Sequence, residues 1–294
     1  MAIDALLQPV VLFFMLGALA GFVRSDLAIP EAVAKGISLY LMMSIGLRGG
    51  AEVAESGFTH DMALAGGAGL ALSFLLPLPA FWLLRTAGRL DRTNAAAVAA
   101  HYGSVSVVTF ATGSEILRQT GMAPAGNSNS LAPRGGLLHE TFLNGSVILL
   151  LGSFVIGMID GKQGLVAVAP VFDVPFRGML CIFLLDMGLI AARRLVDRRA
   201  LTVRTAALAL LLPIVNGTFG VVLGTELRLD PGSAAALGIL AGSASYIAVP
   251  AVMRLALPAA DPGLYLGMSL AVTFPFNLTL GIAWYGWLAA RLSA

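Results

Sequence analysis

Two short stretches combine glycine and hydroxyl side chains in one pattern. Gly103-Ser104-Val105-Ser106 and Gly242-Ser243-Ala244-Ser245 both read GSxS. Each follows a triple alanine and an aliphatic residue, Ala95-Ala96-Ala97-Val98 and Ala234-Ala235-Ala236-Leu237, 139 residues apart. Hydroxyls and freed backbone amides can hold a small planar anion without a fixed countercharge, and such weak binding favours release. Thr109, one helical turn beyond Ser106, and Tyr246, next to Ser245, extend the set. Serine in an apolar helix also bonds its own backbone or a neighbouring helix. For an isolated serine that reading wins, and for this duplicated pair the functional one does.

A second group suits a cation. Asp186 sits within the apolar run Met179–Ile190. A carboxylate at membrane depth is costly unless paired or hydrated, so it either ligands sodium, pairs with an arginine or lies at a cavity mouth. Thr273, Asn277 and Thr279 surround Phe274-Pro275-Phe276. Pro275 frees a carbonyl one turn back, and hard oxygen ligands suit sodium. Helix–helix hydrogen bonding is the rival role. His101 reads as a packing histidine ahead of a proton relay, and Glu115, His139 and Glu140 read as solvated groups near membrane ends. No nucleotide-binding loop, paired-cysteine metal site or Ser/His/Asp order is present, so neither an enzyme nor a self-contained ATP-driven pump is expected. No cofactor is implied beyond a coupling sodium ion.

These residues lie in a chain built for lipid. Of 294 residues 58% are hydrophobic and 12% charged, against about a quarter charged in soluble domains. The net charge of +2 gives no reason to expect nucleic acid. The lone Cys181 excludes an internal disulfide, and no basic n-region or cleavage site points to a cleaved signal peptide. Nine apolar stretches long enough to cross a bilayer run over Ala5–Val23, Ile29–Leu47, Met62–Leu84, Thr93–Leu117, Phe142–Ile159, Val174–Ala192, Leu201–Gly224, Ser233–Leu257 and Leu264–Leu292. The predicted fold is all-α and polytopic. Trp82, Trp284 and Trp287 read as interfacial anchors.

The GSxS pair is one part of a longer repeat. Ser44-Ile45-Gly46-Leu47 aligns with Asp186-Met187-Gly188-Leu189 at an offset of 142, and Leu75-Leu76-Pro77-Leu78 with Leu211-Leu212-Pro213-Ile214 at 136. Gly17 and Gly21 set against Gly152 and Gly157 relate the first span to Phe142–Ile159. Duplicated membrane halves mark secondary transporters, with sites near the midplane where helices are interrupted. The basic clusters Arg85, Arg89, Arg92 and Arg193, Arg194, Arg198, Arg199 should face the cytoplasm, and the segments with Glu52 and Glu55, and Glu226 and Asp230, should face outward. Three spans separate the basic clusters where parity needs an even number. The last span also lacks a partner in the first half. Both point to ten spans in two inverted five-span repeats, of which the fifth is absent. The chain thus divides into a first repeat over 1–120, a polar linker over 121–141 and a second repeat over 142–294.

The stretches HYGSVSVVTF (His101–Phe110), IGLRGG (Ile45–Gly50), NGSVILLLGS (Asn144–Ser153) and GSASYIAVPAVMRLALPAADP (Gly242–Pro262) resemble the sodium-dependent bicarbonate transporter family of cyanobacteria and its bacterial relatives. The resemblance covers nearly the whole chain except about Gly121–Leu138. It implies sodium-coupled bicarbonate uptake across the bacterial plasma membrane, core and gate subdomains, a trimer, and control by a small soluble PII-like protein. In that family the fifth span pairs with the tenth near the site and carries an acidic residue. The alternatives are a transporter of another small anion, or a membrane sensor or scaffold derived from the family.

Overall fold

The computed structural model describes residues 8–57, 60–119, 121–122, 145–196, 201–246, 249–250, 253 and 256–293. The described residues are helical, with no strand among them. The helices are α1 Pro9–Phe22, α2 Glu31–Ser56, α3 His60–Leu75, α4 Pro77–Thr86, α5 Arg92–Tyr102, α6 Val107–Gln119, α7 Gly145–Phe172, α8 Phe176–Val196, α9 Val203–Glu226, α10 Pro231–Gly242 and α11 Pro262–Leu292. Within α11, Gly267–Thr273 and Asn277–Gly281 are π-helical on either side of Phe274-Pro275-Phe276. The polar linker beyond Met122, His139 and Glu140, and the basic pair Arg198 and Arg199 lie outside the described residues.

Among the described residues, four stretches are long and apolar enough to cross a membrane by length and composition, His60–Thr86, Ile148–Phe172, Val203–Glu226 and Pro262–Leu292, although the second of them is bent at Gly161. The described parts of the other expected spans are largely helical, each with a local reason for falling short. Pro9–Phe22 and Pro231–Gly242 are short. Thr93–Leu117 is split into α5 and α6. The long helices α2 and α8 carry Lys35, Arg48 and Glu52, and Arg177, Asp186 and Arg193. Glu52 and Glu55 stand in the last turns of α2 rather than in a loop. The span expected to end at Ile159 runs on to Phe172 through a bend at Gly161, whose φ of 62° and ψ of −158° belong to glycine. The piece past the bend folds back along α2, where Val171 accepts from the Tyr40 hydroxyl at 2.7 Å and Asp173 pairs with Arg48 at 2.6 Å.

Two groups of helices result. In one, α1 lies on α8 and α2 on α7. The glycines of the repeat bring these backbones together. A Cβ on Gly188 would strike the carbonyl of Phe14 and lie 2.7 Å from the amide of Ala18, and one on Gly46 would lie 2.6 Å from the carbonyl of Leu150. A Cβ on Gly21 would lie 2.9 Å from the carbonyl of Leu189, and one on Gly157 would strike that of Leu47. In these contacts Ser153, which presses on Gly46, takes the place expected for Gly152, which has nothing within 4 Å. Gly152 thus makes no such contact, while Gly157, set against Gly21, does. The second group holds α3–α6 and α9–α11, with α9 packed along α10. Phe14 of the first group meets Phe274 of the second edge to face at 5.3 Å.

Both helices leading to the GSxS stretches start at an aspartate. The Asp91 carboxylate accepts from the amides of Thr93 and Asn94, and Asp230 from those of Gly232 and Ser233, all at 3.0–3.1 Å. These amides lower the pKa of Asp91, which lies in the connection before α5. The two caps stand 139 residues apart, as the GSxS stretches do. Asp91→Ala and Asp230→Ala are each expected to lower stability by about 1 kcal/mol, read as the thermal midpoint in detergent, with Asn in place of Asp restoring most of it.

Candidate functional site

The site forms where two helices stop at glycine. α5 ends at Tyr102, and the Gly103 amide closes its last turn on the Ala99 carbonyl at 3.1 Å. A Cβ on Gly103 would run into the Pro77 ring and lie 2.8 Å from the Ser73 carbonyl, so only glycine fits against the α3–α4 kink. The chain is non-helical through Ser106. Ser106 then caps α6, its Oγ accepting from the Thr109 amide at 3.2 Å and its carbonyl from the Phe110 amide at 3.0 Å. In the other half α10 ends at Gly242, which is pressed on the Pro213 carbonyl and the Tyr285 ring. Ser243 is extended and its hydroxyl donates to the Leu240 carbonyl at 2.8 Å.

The two breaks cross. The Ser106 amide donates to Ser243 Oγ at 3.1 Å, and the Ser245 amide donates to the His101 carbonyl at 2.9 Å. Two freed backbone groups of one half are thus satisfied by the other half. Ser106, Thr109, Ser243, Ser245 and Tyr246 are buried together. The Tyr246 hydroxyl lies beside the side chains of Ser106 and Thr109 but forms no hydrogen bond of acceptable geometry. Its ring rests on Phe274 at 5.1 Å. Gly103 and Ser104 are half-buried and line a pocket of about 10 Å³ with Ser73, Leu76 and Leu240, room for about one water. The crossing is closed in this conformation.

The cation candidates separate. Thr273 and Asn277 stand beside the crossing and bind protein groups. Pro213 has no amide, so the carbonyl four residues back, at Ala209, is free. Thr273 Oγ1 donates to it at 2.7 Å and accepts from the Tyr102 hydroxyl at 2.7 Å. Asn277 Nδ2 donates to the carbonyl of Gly242, the last residue of α10, at 2.7 Å. Asn277 Oδ1 lies 3.0 Å from the Tyr285 hydroxyl, whose single hydrogen it shares with the Pro213 carbonyl at 2.8 Å. The Thr279 hydroxyl turns back to the Pro275 carbonyl at 2.8 Å. Asp186 is buried on α8 in the other helix group, within electrostatic reach of Arg193, and hydrogen-bonds to none of the other candidates. Arg193 itself donates to the Leu27 carbonyl at 2.8 Å.

His101 is fully buried, with its Nδ1 2.6 Å from the Ala97 carbonyl and its ring stacked on Tyr265 at 4.6 Å. Its backbone carbonyl, rather than its ring, joins the crossing. Tyr102 and Tyr285 had no place in the sequence-based site. A signal for Tyr285 exists: Thr273, Asn277, Gly281 and Tyr285 recur every four residues and share one face of the last helix.

The arrangement suits a transported ion. Its hydroxyls and amides belong to two interrupted helices, it lies inside an apolar bundle, and nothing in it joins a nucleophile to a base. No curated protein matches the chain. A family model, the Na+-dependent bicarbonate transporter superfamily, matches residues 9–134 and again residues 125–290, and this membrane protein belongs to that family.

Proposed function

We propose that the chain is a secondary transporter that carries bicarbonate with sodium by alternating access, with the crossing of the two broken helices as its anion site. The observation that carries this reading is the mutual stitch Ser106–Ser243 and Ser245–His101. It holds the first turn of α6 at the crossing, where the positive end of the helix dipole favours an anion. Ser106, Ser245 and Tyr246 are buried at the crossing, and Ser104 lines the small pocket beside it. Asp186, Thr273 and Asn277 are the proposed sodium ligands, and each of the last two keeps one oxygen lone pair free of the protein contacts above.

Paired contacts support the inverted repeat and the division at residues 120 and 142. Gly188 on Phe14 mirrors Gly46 on Leu150, and Gly21 on Leu189 mirrors Gly157 on Leu47. Gly103 against Pro77 mirrors Gly242 against the Pro213 carbonyl. The direction of the helices supports an absent fifth span. α2 and α7 run parallel, with Gly46 beside Leu150, Gly50 beside Phe154 and Glu55 paired with Lys162 at 3.3 Å. α6 ends at that same end, where Arg118 faces Arg48 and Lys162. Two successive helices pointing the same way need a return between them. Position adds to direction. Ser73 stands to Pro77 as Ala209 to Pro213, and the water-sized pocket beside Ser73 and Gly103 lies where a fifth span would supply the counterparts of Thr273 and Asn277.

The test is sodium-dependent uptake of labelled bicarbonate by proteoliposomes. Ser106→Ala and Ser245→Ala are each expected to raise the half-saturating bicarbonate concentration roughly tenfold, the loss of one hydrogen bond to a charged ligand. No uptake by the folded wild-type protein would leave the sensor or scaffold reading. Unchanged kinetics in both variants would remove the crossing as the anion site.

A further inference from the structure

Where α2, α6 and α7 meet beside the α7–α8 connection at the Glu55 end, a charged cavity of about 210 Å³ is lined by Arg48, Glu52, Glu55, Arg118, Lys162 and Asp173. A second pocket of about 10 Å³ lies against Ile45, Ala111, Ser114, Glu115 and Phe176, and Arg48 and Arg118 line both. Since α6 runs from the crossing at Ser106 to Gln119, Ala111 and Ser114 stand between the wide cavity and the helix breaks. The two hollows share Arg48 and Arg118 and follow one another along α6 toward the proposed anion site, the inner one the smaller.

Two buried polar atoms on this track have no hydrogen-bond partner among the described residues, Arg48 Nε and Ser114 Oγ. Ser114 departs from Ser44, Ser73 and Ser269, whose hydroxyls bond the carbonyl four residues back. Such atoms are costly to bury unless water or an ion reaches them, and the narrow pocket has room for about one water. Beside it, Glu115 of α6 pairs with Arg177 of α8 and accepts from Gln119 Nε2 at 2.8 Å. The Glu115 side chain is 12% exposed and that of Arg177 53%. The pair closes over the track and ties one helix group to the other.

We infer that the seam between α2, α6 and α8 is the entrance through which a small hydrated anion reaches the helix breaks from the Glu55 end, drawn shut here to a one-water pocket and latched by Glu115 and Arg177. The inference rests on the transport reading. Arg48 Nε and Ser114 Oγ are the groups that greet the ion when the seam opens, and the latch must part once in each cycle.

The test uses the full chain with Cys181→Ala as background, since Cys181 is its one cysteine. Glu115→Cys with Arg177→Cys is oxidised to a disulfide and assayed for bicarbonate uptake. Uptake is expected to fall at least about tenfold and to return with reductant. Undiminished uptake with the disulfide formed would overturn the latch. Absence of uptake in the reduced pair, and in the background chain, would tell against the transport reading instead. A second arm needs no transport. Ser114→Cys in the same background is labelled with a membrane-impermeant maleimide, with and without Arg177→Ala. Removing the arginine is expected to speed labelling about tenfold or more, and equal rates would overturn the inference.

Discussion

Gly46→Val and Gly188→Val each lower the thermal midpoint in detergent by about 6–12 °C, the shift that goes with roughly 3 kcal/mol. The cause is backbone meeting backbone. At Gly46 the new Cβ would strike Ser153 Oγ and lie 2.6 Å from the Leu150 carbonyl and 3.1 Å from the Phe154 amide. At Gly188 it would strike the Phe14 carbonyl and lie 2.7 Å from the Ala18 amide. A flexible side chain could turn away from such a clash, but main chain cannot, so α2 must leave α7 or α8 must leave α1. Gly66→Ala, Gly67→Ala and Gly152→Ala are the controls, because nothing stands within 4 Å of a Cβ at those places. In these, the helix preference of alanine over glycine leaves the midpoint level or higher. Differential scanning fluorimetry on the five variants decides it, and equal losses in both sets would mean that close backbone approach is not what sets Gly46 and Gly188 apart.

That contrast marks what the sequence could convey. The paired motifs stand out because they are written in residue types that have few substitutes at their places: glycine at Gly46 and Gly188, proline at Pro77 and Pro213, GSxS at the breaks. Each is forced by a backbone approach or a missing amide, so identity and geometry go together. Of the two glycine matches in the first span, Gly21 with Gly157 is reflected in the contacts and Gly17 with Gly152 is not. Ser153 fills the place opposite Gly46, and an exposed glycine next to it attracted the match. The paired caps Asp91 and Asp230 share the 139-residue offset and went unread because a capping aspartate looks like any loop acid until its amide partners are known.

The site was legible in part for a different reason. Ser106, Ser243 and Ser245 meet because the helix breaks cross, and the break signal is local. Which serine atoms do the joining was not legible. Ser245 contributes its amide, Ser243 its hydroxyl, and the acceptor for Ser245 is a carbonyl, which every residue has. The Glu115–Arg177 pair joins residues far apart in the chain that carry no mark of each other, and composition alone left Glu115 as a solvated end group.

Thr273→Val and Asn277→Ala separate the two roles open to these residues. Thr273→Val keeps the volume and leaves the Ala209 carbonyl and the Tyr102 hydroxyl unpaired in an interior where Thr273 is fully buried. Asn277→Ala strips the Gly242 carbonyl of its donor and leaves a hollow beside Tyr285. Each unpaired buried group costs about 1–3 kcal/mol, so each variant is expected to lose roughly 3 kcal/mol without sodium. A ligand to sodium adds a second signature. If the folded protein binds sodium, rising sodium raises the wild-type midpoint in step with ln(1 + [Na+]/Kd). Loss of a ligand oxygen flattens that rise, whereas loss of a helix–helix stitch lowers the whole curve and leaves its slope intact. Midpoints across a sodium series, with potassium holding ionic strength constant, read both at once. A flattened slope in Asn277→Ala with Thr273→Val merely shifted would assign the ion to the Gly242 end of α10, where the amide nitrogen of Asn277 holds the carbonyl and its oxygen keeps one lone pair free. Parallel curves in both would make α11 a clamp that holds the second break in place, and would leave Asp186 as the proposed ligand for the coupling ion.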